Sequence, residues 1–323
     1  MFHAFWFLAL MTLSVQDDPF LLEGHGETVE AVAVCSKEGW IASGDWDGRI
    51  RIWDLEAKRS LREIEGHAGK MINDLDAAPA AGILATAGDD GFVKLWDVSS
   101  GKKLQELRAA EFIVKCVALT SDGKHVATRG GEWDDEAHVW DVAQGVVIHR
   151  IQGFDDSIMA LDFDDAGKHL AAGTRDGRVR IFEIGKPEAL ALFELGEMNI
   201  YDLAFSPSGQ HLAAACGDHS VRVLDLEGKK EIARLSPIAA GEDDGNGMVE
   251  VVWAPDGKTL LTASTDNTAR VWLLEKKTEL ARFEGHAEST SGVTFSKDGS
   301  WVISCGDDNL LRVSPMKAKK AKG

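Results

Sequence analysis

The sequence predicts an all-β protein built from seven copies of one unit, and three observations carry that prediction. An Asp recurs at one fixed place: Asp47, Asp90, Asp134, Asp176, Asp218, Asp266 and Asp308. Each lies six residues before a marker position, held in turn by Trp53, Trp96, Trp140, Phe182, Leu224, Trp272 and Ser314. Successive markers are 43, 44, 42, 42, 48 and 42 residues apart, and self-similarity at one such period is the signature of a repeat architecture. Within each unit, short β-branched and apolar runs are split by Gly/Asp turns. In GDWDGRIRIWDL the turn Asp47-Gly48 is followed by alternation through Arg49, Ile50, Arg51, Ile52 and Trp53. Period-two alternation punctuated by turns marks β-hairpins.

Three markers carry the dipeptide Trp-Asp, at Trp53-Asp54, Trp96-Asp97 and Trp140-Asp141, and Gly-His precedes units at Gly24-His25, Gly66-His67 and Gly285-His286. The chain therefore resembles the WD40 family over roughly residues 20–316. The resemblance implies a seven-bladed β-propeller of four-stranded antiparallel blades. It also implies a hydrogen-bonded tetrad: His25, Ser43, Asp47 and Trp53 in the first blade, and His67, Thr86, Asp90 and Trp96 in the second. Asp accepts from the imidazole, the imidazole engages the hydroxyl, and the hydroxyl accepts from the indole N–H, so buried polar groups satisfy one another. The third blade keeps Asp134 and Trp140 with Gly130 at the hydroxyl position. The fourth has Phe154, Ala172 and Phe182, and the fifth Glu197, Ala214 and Leu224. The sixth keeps Thr262, Asp266 and Trp272, and the seventh His286, Ser304 and Asp308 with Ser314. Loss of hydroxyl and indole together is expected where a whole network gives way to apolar groups, which is nearly neutral.

Ring closure is legible too. Phe20-Leu21-Leu22-Glu23-Gly24-His25 resembles Arg282-Phe283-Glu284-Gly285-His286, yet the last unit ends near Pro315 after three strands. The strand Phe20–Leu22 is thus expected to complete the seventh blade and leave no open sheet edge.

The formal net charge of −18 argues against a duplex-nucleic-acid partner, which calls for a basic face. The one basic cluster, at 317–323, reads as a disordered tail. Cys35, Cys116, Cys216 and Cys305 show no Cys-x-x-Cys spacing and fall in different blades, so four free buried thiols are expected. Residues 4–15, AFWFLALMTLSV, form an apolar run of signal-peptide length, with Thr12 and Ser14 as small residues before a cleavage point. Residues 1–14 are expected to be removed and the protein exported, to periplasm or medium, with no integral membrane segment left. The competing reading starts translation at Met11 and keeps the chain cytoplasmic.

No motif for catalysis is present: G-x-S-x-G, the P-loop, H-E-x-x-H and the EF-hand loop are all missing from the sequence. His125, His169 and His211 occupy one place in three consecutive units and are spread around the ring, whereas a metal needs ligands within about 2 Å of one point. No enzyme, metal or cofactor is expected. Two rings of residues remain as a candidate interaction surface. One precedes each turn Asp: Trp46, Asp89, Trp133, Arg175, Gly217, Thr265 and Asp307. The other begins each innermost strand: Glu30, Asn73, Lys115, Met159, Tyr201, Val249 and Ser291. In the family these rings commonly form the partner face. Aromatic residues and Arg anchor interfaces, so Trp46, Trp133, Arg175, Met159, Tyr201 and Val249 are expected to bind a peptide or protein, in a monomeric propeller within a complex. Two alternatives remain: a structural subunit using blade sides through exposed Trp40 and Trp301, and an enzyme at the channel mouth, where Glu30 and Asn73 are the adjacent polar pair. An acidic insertion at 241–247 lengthens the connection between the fifth and sixth blades.

Overall fold

A computed structural model describes residues 18–130, 136–236 and 247–316. The expected signal peptide at 1–14, the basic tail at 317–323, Trp133, Asp134 and the insertion up to residue 246 lie outside them. Among the described residues there are only strands, grouped into seven four-stranded antiparallel sheets with no helix. Six sheets are simple meanders over residues 29–65, 72–108, 114–151, 158–194, 200–235 and 248–283. The seventh takes three strands from 290–315 and its outer strand from Phe20–Leu22, which pairs Phe20 with Val313 and Leu22 with Leu311. The innermost strands touch in sequence around the ring, and Thr290–Phe295 closes on Val29–Val34.

The alternation seen in the sequence places one apolar cluster at each seam between neighbouring sheets. Ile50, Ile52 and Ile64 of the first blade meet Ile72, Leu75 and Leu84 of the second. Leu22 and Leu311 of the seventh meet Val29, Ile41 and Trp53 of the first. Each fully buried Ile or Leu contributes roughly 1.5–3 kcal/mol by removal from water, so the closing strand is held by the same force as the blades. The second strands are buried on both faces and carry small residues where blades approach closely. A Cβ at Gly44 would stand 2.7 Å from Ile72 Cγ2. The turn glycines answer a different need. Gly177 has φ 79°, and a Cβ there would fall 1.7 Å from the Gly196 carbonyl oxygen, so only Gly fits.

The tetrads form, with two corrections. In the second blade His67 engages Asp90 at 2.8 Å and Thr86 at 2.9 Å, and Trp96 Nε1 donates to Thr86 at 3.0 Å. In the first blade His25 Nε2 meets Ser43 at 2.7 Å, and Trp53 Nε1 donates to Ser43 at 2.8 Å. The acid, however, is Asp45, 2.6 Å from His25 Nδ1, and not Asp47, which is exposed at the turn. The second and seventh blades have Gly88 and Gly306 where the first has Asp45. A side chain at Gly88 would strike the His67 ring at 2.3 Å. The first blade alone fills that site with a carboxylate, which takes the imidazole before the turn Asp can. In the third blade the hydroxyl is Thr128, to which Trp140 Nε1 donates at 2.9 Å, and not Gly130. The connection between its second and third strands is two residues longer than in blades with the ten-residue spacing, which displaces any fixed-offset alignment. The fourth blade is the apolar version: the Phe154 and Phe182 rings lie 5.8 Å apart in one cluster with Ala172.

All four cysteines are free and buried. Burial pushes the Cys116 and Cys216 thiols up to about 12, which makes them poor nucleophiles. Trp40 and Trp301 are half-buried. Trp301 stands edge-on to Phe20 at 5.6 Å, so neither is the exposed anchor that a blade-side interface would use.

Candidate functional site at the channel mouth

A bulge interrupts the pairing at the start of every innermost strand. The register slips between Val29 and Ala31, Ile72 and Asp74, Val114 and Cys116, Ile158 and Ala160, Ile200 and Asp202, Met248 and Glu250, and Thr290 and Gly292. The residue skipped in each blade is the one the sequence singles out: Glu30, Asn73, Lys115, Met159, Tyr201, Val249 or Ser291. An unpaired bulge residue is free of the strict in/out alternation. These seven side chains line the mouth of the central channel.

The two rings touch. Trp46 Nε1 donates to Glu30 at 2.8 Å, Asn73 Nδ2 to Asp89 at 2.8 Å, and Ser291 Oγ to Asp307 at 3.2 Å. Blades seven, one and two thus close their own mouth residues into polar pairs. The other half is less satisfied internally. Met159 and Val249 are half-buried there, and Tyr201 is exposed beside Gly217, its hydroxyl accepting from Asn199 at 3.1 Å. Glu30, Trp46, Met159, Tyr201 and Val249 border one cavity of about 430 Å³. Arg175 borders a neighbouring one of about 510 Å³ that shares Glu30, Asn73, Lys115 and Met159. Trp46 is 44% exposed and Tyr201 39%, high values for large aromatic side chains. Five of the six expected interface residues therefore stand around one opening, and the sixth, Trp133, is outside the described residues.

Below the mouth lies a feature the sequence reading missed. Asp74, Asp202 and Glu250 follow the bulge directly, and Asp76 and Asp162 sit two residues deeper in the same register. Each carboxylate accepts a backbone N–H from the innermost strand of the next blade. Val117 donates to Asp74 at 2.8 Å, Leu119 to Asp76 at 2.7 Å, Phe205 to Asp162 at 2.6 Å, Val251 to Asp202 at 2.8 Å and Val293 to Glu250 at 2.5 Å. Burial raises all five carboxyls, that of Asp76 to about 6 and that of Asp202 to about 7, and mutual repulsion adds to it for Asp74, Asp162, Asp202 and Glu250. Raised carboxyls in a cleft are often catalytic. Here each is committed to a neighbouring backbone and acts as a staple between blades. Acids at the third or fifth place of largely apolar inner strands were the available signal. The three aligned histidines remain apart: His169 Nδ1 is 2.7 Å from Asp164, and His211 stacks on Trp253 at 6.4 Å.

Seven meander blades with Gly-His and Trp-Asp tetrads and a spliced closing strand define a WD40-type β-propeller. Comparison with known proteins agrees. The WD40 G-beta repeat model matches residues 18–54 and 277–313, the two units that meet at the splice. The chain belongs to the family of Nucleolar protein 10-like N-terminal domains, whose model matches residues 70–275, more than half of the chain. It is 27% identical over 170 residues to the Ribosome biogenesis protein WDR12 homolog of Trichoplax adhaerens, covering 50% of this chain and 38% of that protein. To the homolog from Oryza sativa subsp. japonica it is 23% identical over 175 residues, 53% of this chain and 35% of that one. The human Angio-associated migratory cell protein is 29% identical over 85 residues, 26% of this chain and 19% of that one. The chain thus spans well under half the length of these relatives. The matches overturn the expected export: a family named for a nucleolar protein and relatives named for ribosome biogenesis point to a nucleolar or nuclear location. Four free, buried thiols are at home in such a reducing compartment. The apolar run at 4–15 was legible only as hydrophobicity, which does not distinguish a leader from other apolar segments.

Proposed function

We propose that this propeller is a non-catalytic scaffold that holds a peptide or protein partner on its tetrad-loop face, as a monomeric disc within a nucleolar or nuclear ribosome-assembly complex. The observation that carries the reading is the pair of exposed aromatic side chains, Trp46 and Tyr201, bordering one cavity with Met159 and Val249. Such amphipathic residues at the centre of a rigid face are what binding hot spots are made of. Arg175 borders the adjoining cavity and extends the surface; Trp133 is included by its place in the sequence alone. The −18 charge favours a protein over a nucleic-acid partner, and the relatives' names supply the setting.

The test is quantitative capture from the native host with full-length tagged protein, wild type against the double variant Trp46→Ala, Tyr201→Ala. Partners enriched by wild type should be lost from the variant while its melting temperature stays within a degree or so, since both side chains are solvent-facing. An unchanged partner list refutes this surface.

A further inference from the structure

Arg129 follows the tetrad hydroxyl of the third blade directly. The other six blades have Gly44, Ala87, Gly173, Ala215, Ala263 and Cys305 at that place, small residues suited to a crowded seam. Arg129 is only 3% exposed, its Nε is buried with no hydrogen-bond partner, and no carboxylate lies within ion-pair distance among the described residues. A buried guanidinium without a counter-ion is destabilising, and in a chain with 53 acidic residues its isolation is conspicuous. It borders the cavity of about 510 Å³ at the channel mouth, together with Lys115, Arg175 and Glu30. Lys115 is the one cation of the bulge ring and Arg175 the one cation of the pre-turn ring. Lys115 Nζ donates to Asn73 at 3.2 Å, and neither Lys115 nor Arg175 has an ion pair among the described residues. Glu30, held by Trp46 and with its carboxyl raised chiefly by burial, is the one carboxylate of this lining. Three cations against one acid leave the pocket positive in an acidic protein.

We propose that this pocket receives an oxyanion carried by a side chain of the protein partner, a carboxylate or a phosphate monoester, with Arg129 at its floor and Lys115 and Arg175 at its rim. The proposal rests on the partner-face reading above and names the chemistry that face selects. A guanidinium offers paired N–H donors to a planar or tetrahedral oxyanion, and such charge-assisted bonds are strongest where water is excluded. Asn199, on the same lining, adds a neutral polar group that does not cancel charge.

The test uses full-length protein with N-acetylglutamate, O-phosphoserine, inorganic phosphate and a single-stranded RNA oligonucleotide as separate probes. Binding is read by calorimetry at low salt. O-phosphoserine or N-acetylglutamate should bind wild type, and the tighter of the two identifies the source of the oxyanion. Arg129→Met should weaken that binding by about tenfold or more and at the same time raise the melting temperature, because an unpaired buried charge is removed. A merely structural Arg would give the opposite thermal shift. Arg175→Gln, at an exposed site, should weaken binding without thermal change, and it keeps the test decisive if Arg129→Met folds poorly. No anion binding, binding insensitive to both Arg variants, phosphate-only binding unmatched by either side-chain probe, or RNA binding lost in the Arg variants would each overturn the proposal. Partner capture that fails in Trp46→Ala, Tyr201→Ala but survives in Arg129→Met, Arg175→Gln would overturn it while leaving the partner face standing.

Discussion

The hydroxyl at the centre of a tetrad can be removed without leaving a hole, and the damage should scale with the number of groups it orphans. Thr86→Val preserves shape and deletes only the hydroxyl. Thr86 is fully buried and serves two partners, the indole of Trp96 at 3.0 Å and the imidazole of His67 at 2.9 Å. Thr262 in the sixth blade is equally buried and has the same ten-residue spacing; it accepts from the indole of Trp272 at 3.0 Å but has no imidazole partner, and both hydroxyls also donate to a carbonyl, of Lys94 at 3.4 Å and of Arg270 at 3.5 Å. Each buried polar group left without a partner costs about 1–3 kcal/mol. Thr262→Val should therefore lose about 1–3 kcal/mol and Thr86→Val about 2–6 kcal/mol. At this chain length that is a gap of at least roughly 2 °C between the two melting temperatures, measured by scanning calorimetry side by side. The triple variant His67→Phe, Thr86→Ala, Trp96→Phe copies the fourth blade, where Phe154 and Phe182 meet over Ala172. It leaves Asp90 paired with Lys94 at 2.6 Å, so it should be milder than Thr86→Val alone. Equal losses for Thr86→Val and Thr262→Val, or a triple variant that loses the sum of its parts, would refute the reasoning.

Two further outcomes are expected from the channel and the turns. Burial lifts the Asp76 carboxyl from 3.8 to about 6, against the opposing N–H bonds of Leu119 and Ala77. The folded chain then binds the extra proton between those values, and the stability this contributes is present at low pH and lost as pH rises through about 6. Asp76→Asn is neutral throughout, so its stability relative to wild type should rise by about 1 kcal/mol between pH 5.5 and 8. Channel water reduces rather than reverses this, and parallel urea-midpoint curves across that range would count against it. Gly177→Ala combines a left-handed backbone with a clash against the Gly196 carbonyl, whereas Gly209 has φ 68° and open space around it. Gly177→Ala should lose more than about 2 kcal/mol and Gly209→Ala about 1 kcal/mol; indistinguishable unfolding midpoints would show that the clash relaxes away.

What the sequence made legible is what depends on period. Among the described residues, the turn positions of six blades, the splice at Phe20–Leu22, the second-blade tetrad and the mouth rings all follow from a fixed offset within the unit. What escaped depends on exceptions to that offset. Asp45 pre-empts Asp47 because the first blade has a carboxylate where the second and seventh have glycine. Thr128 replaces Gly130 because one connection is two residues longer. The bulges that free Glu30, Lys115 and Tyr201 have no composition of their own, since the skipped residue ranges from Glu to Val. The channel acids were hidden for the opposite reason. Asp74, Asp76 and Asp202 look like the polar half of an alternating strand, and only the closed ring turns that half inward.

The staples and the histidine networks are spread differently around the ring and overlap in the second blade, which carries both. Histidine networks tie the first, second and seventh blades, through His25, His67 and His286, the seventh without an indole. Carboxylate staples cross from the second blade to the third, the fourth to the fifth, the fifth to the sixth and the sixth to the seventh. The blades that lost hydroxyl and indole, four and five, are those whose inner strands carry Asp162 and Asp202. The seams around blade one, which has the complete tetrad, carry Ala31, Ala33, Gly292 and Thr294 at the staple positions. A tetrad fixes a blade's outer loop to its own strands, whereas a staple fixes one innermost strand to the next. Among the blades that carry staples, the fourth, fifth and sixth show Met159, Tyr201 and Val249 at the mouth, while the second closes Asn73 on Asp89. A rigid inner wall under an open, unpaired rim favours binding, because a partner seated there orders its own side chains without having to order the propeller.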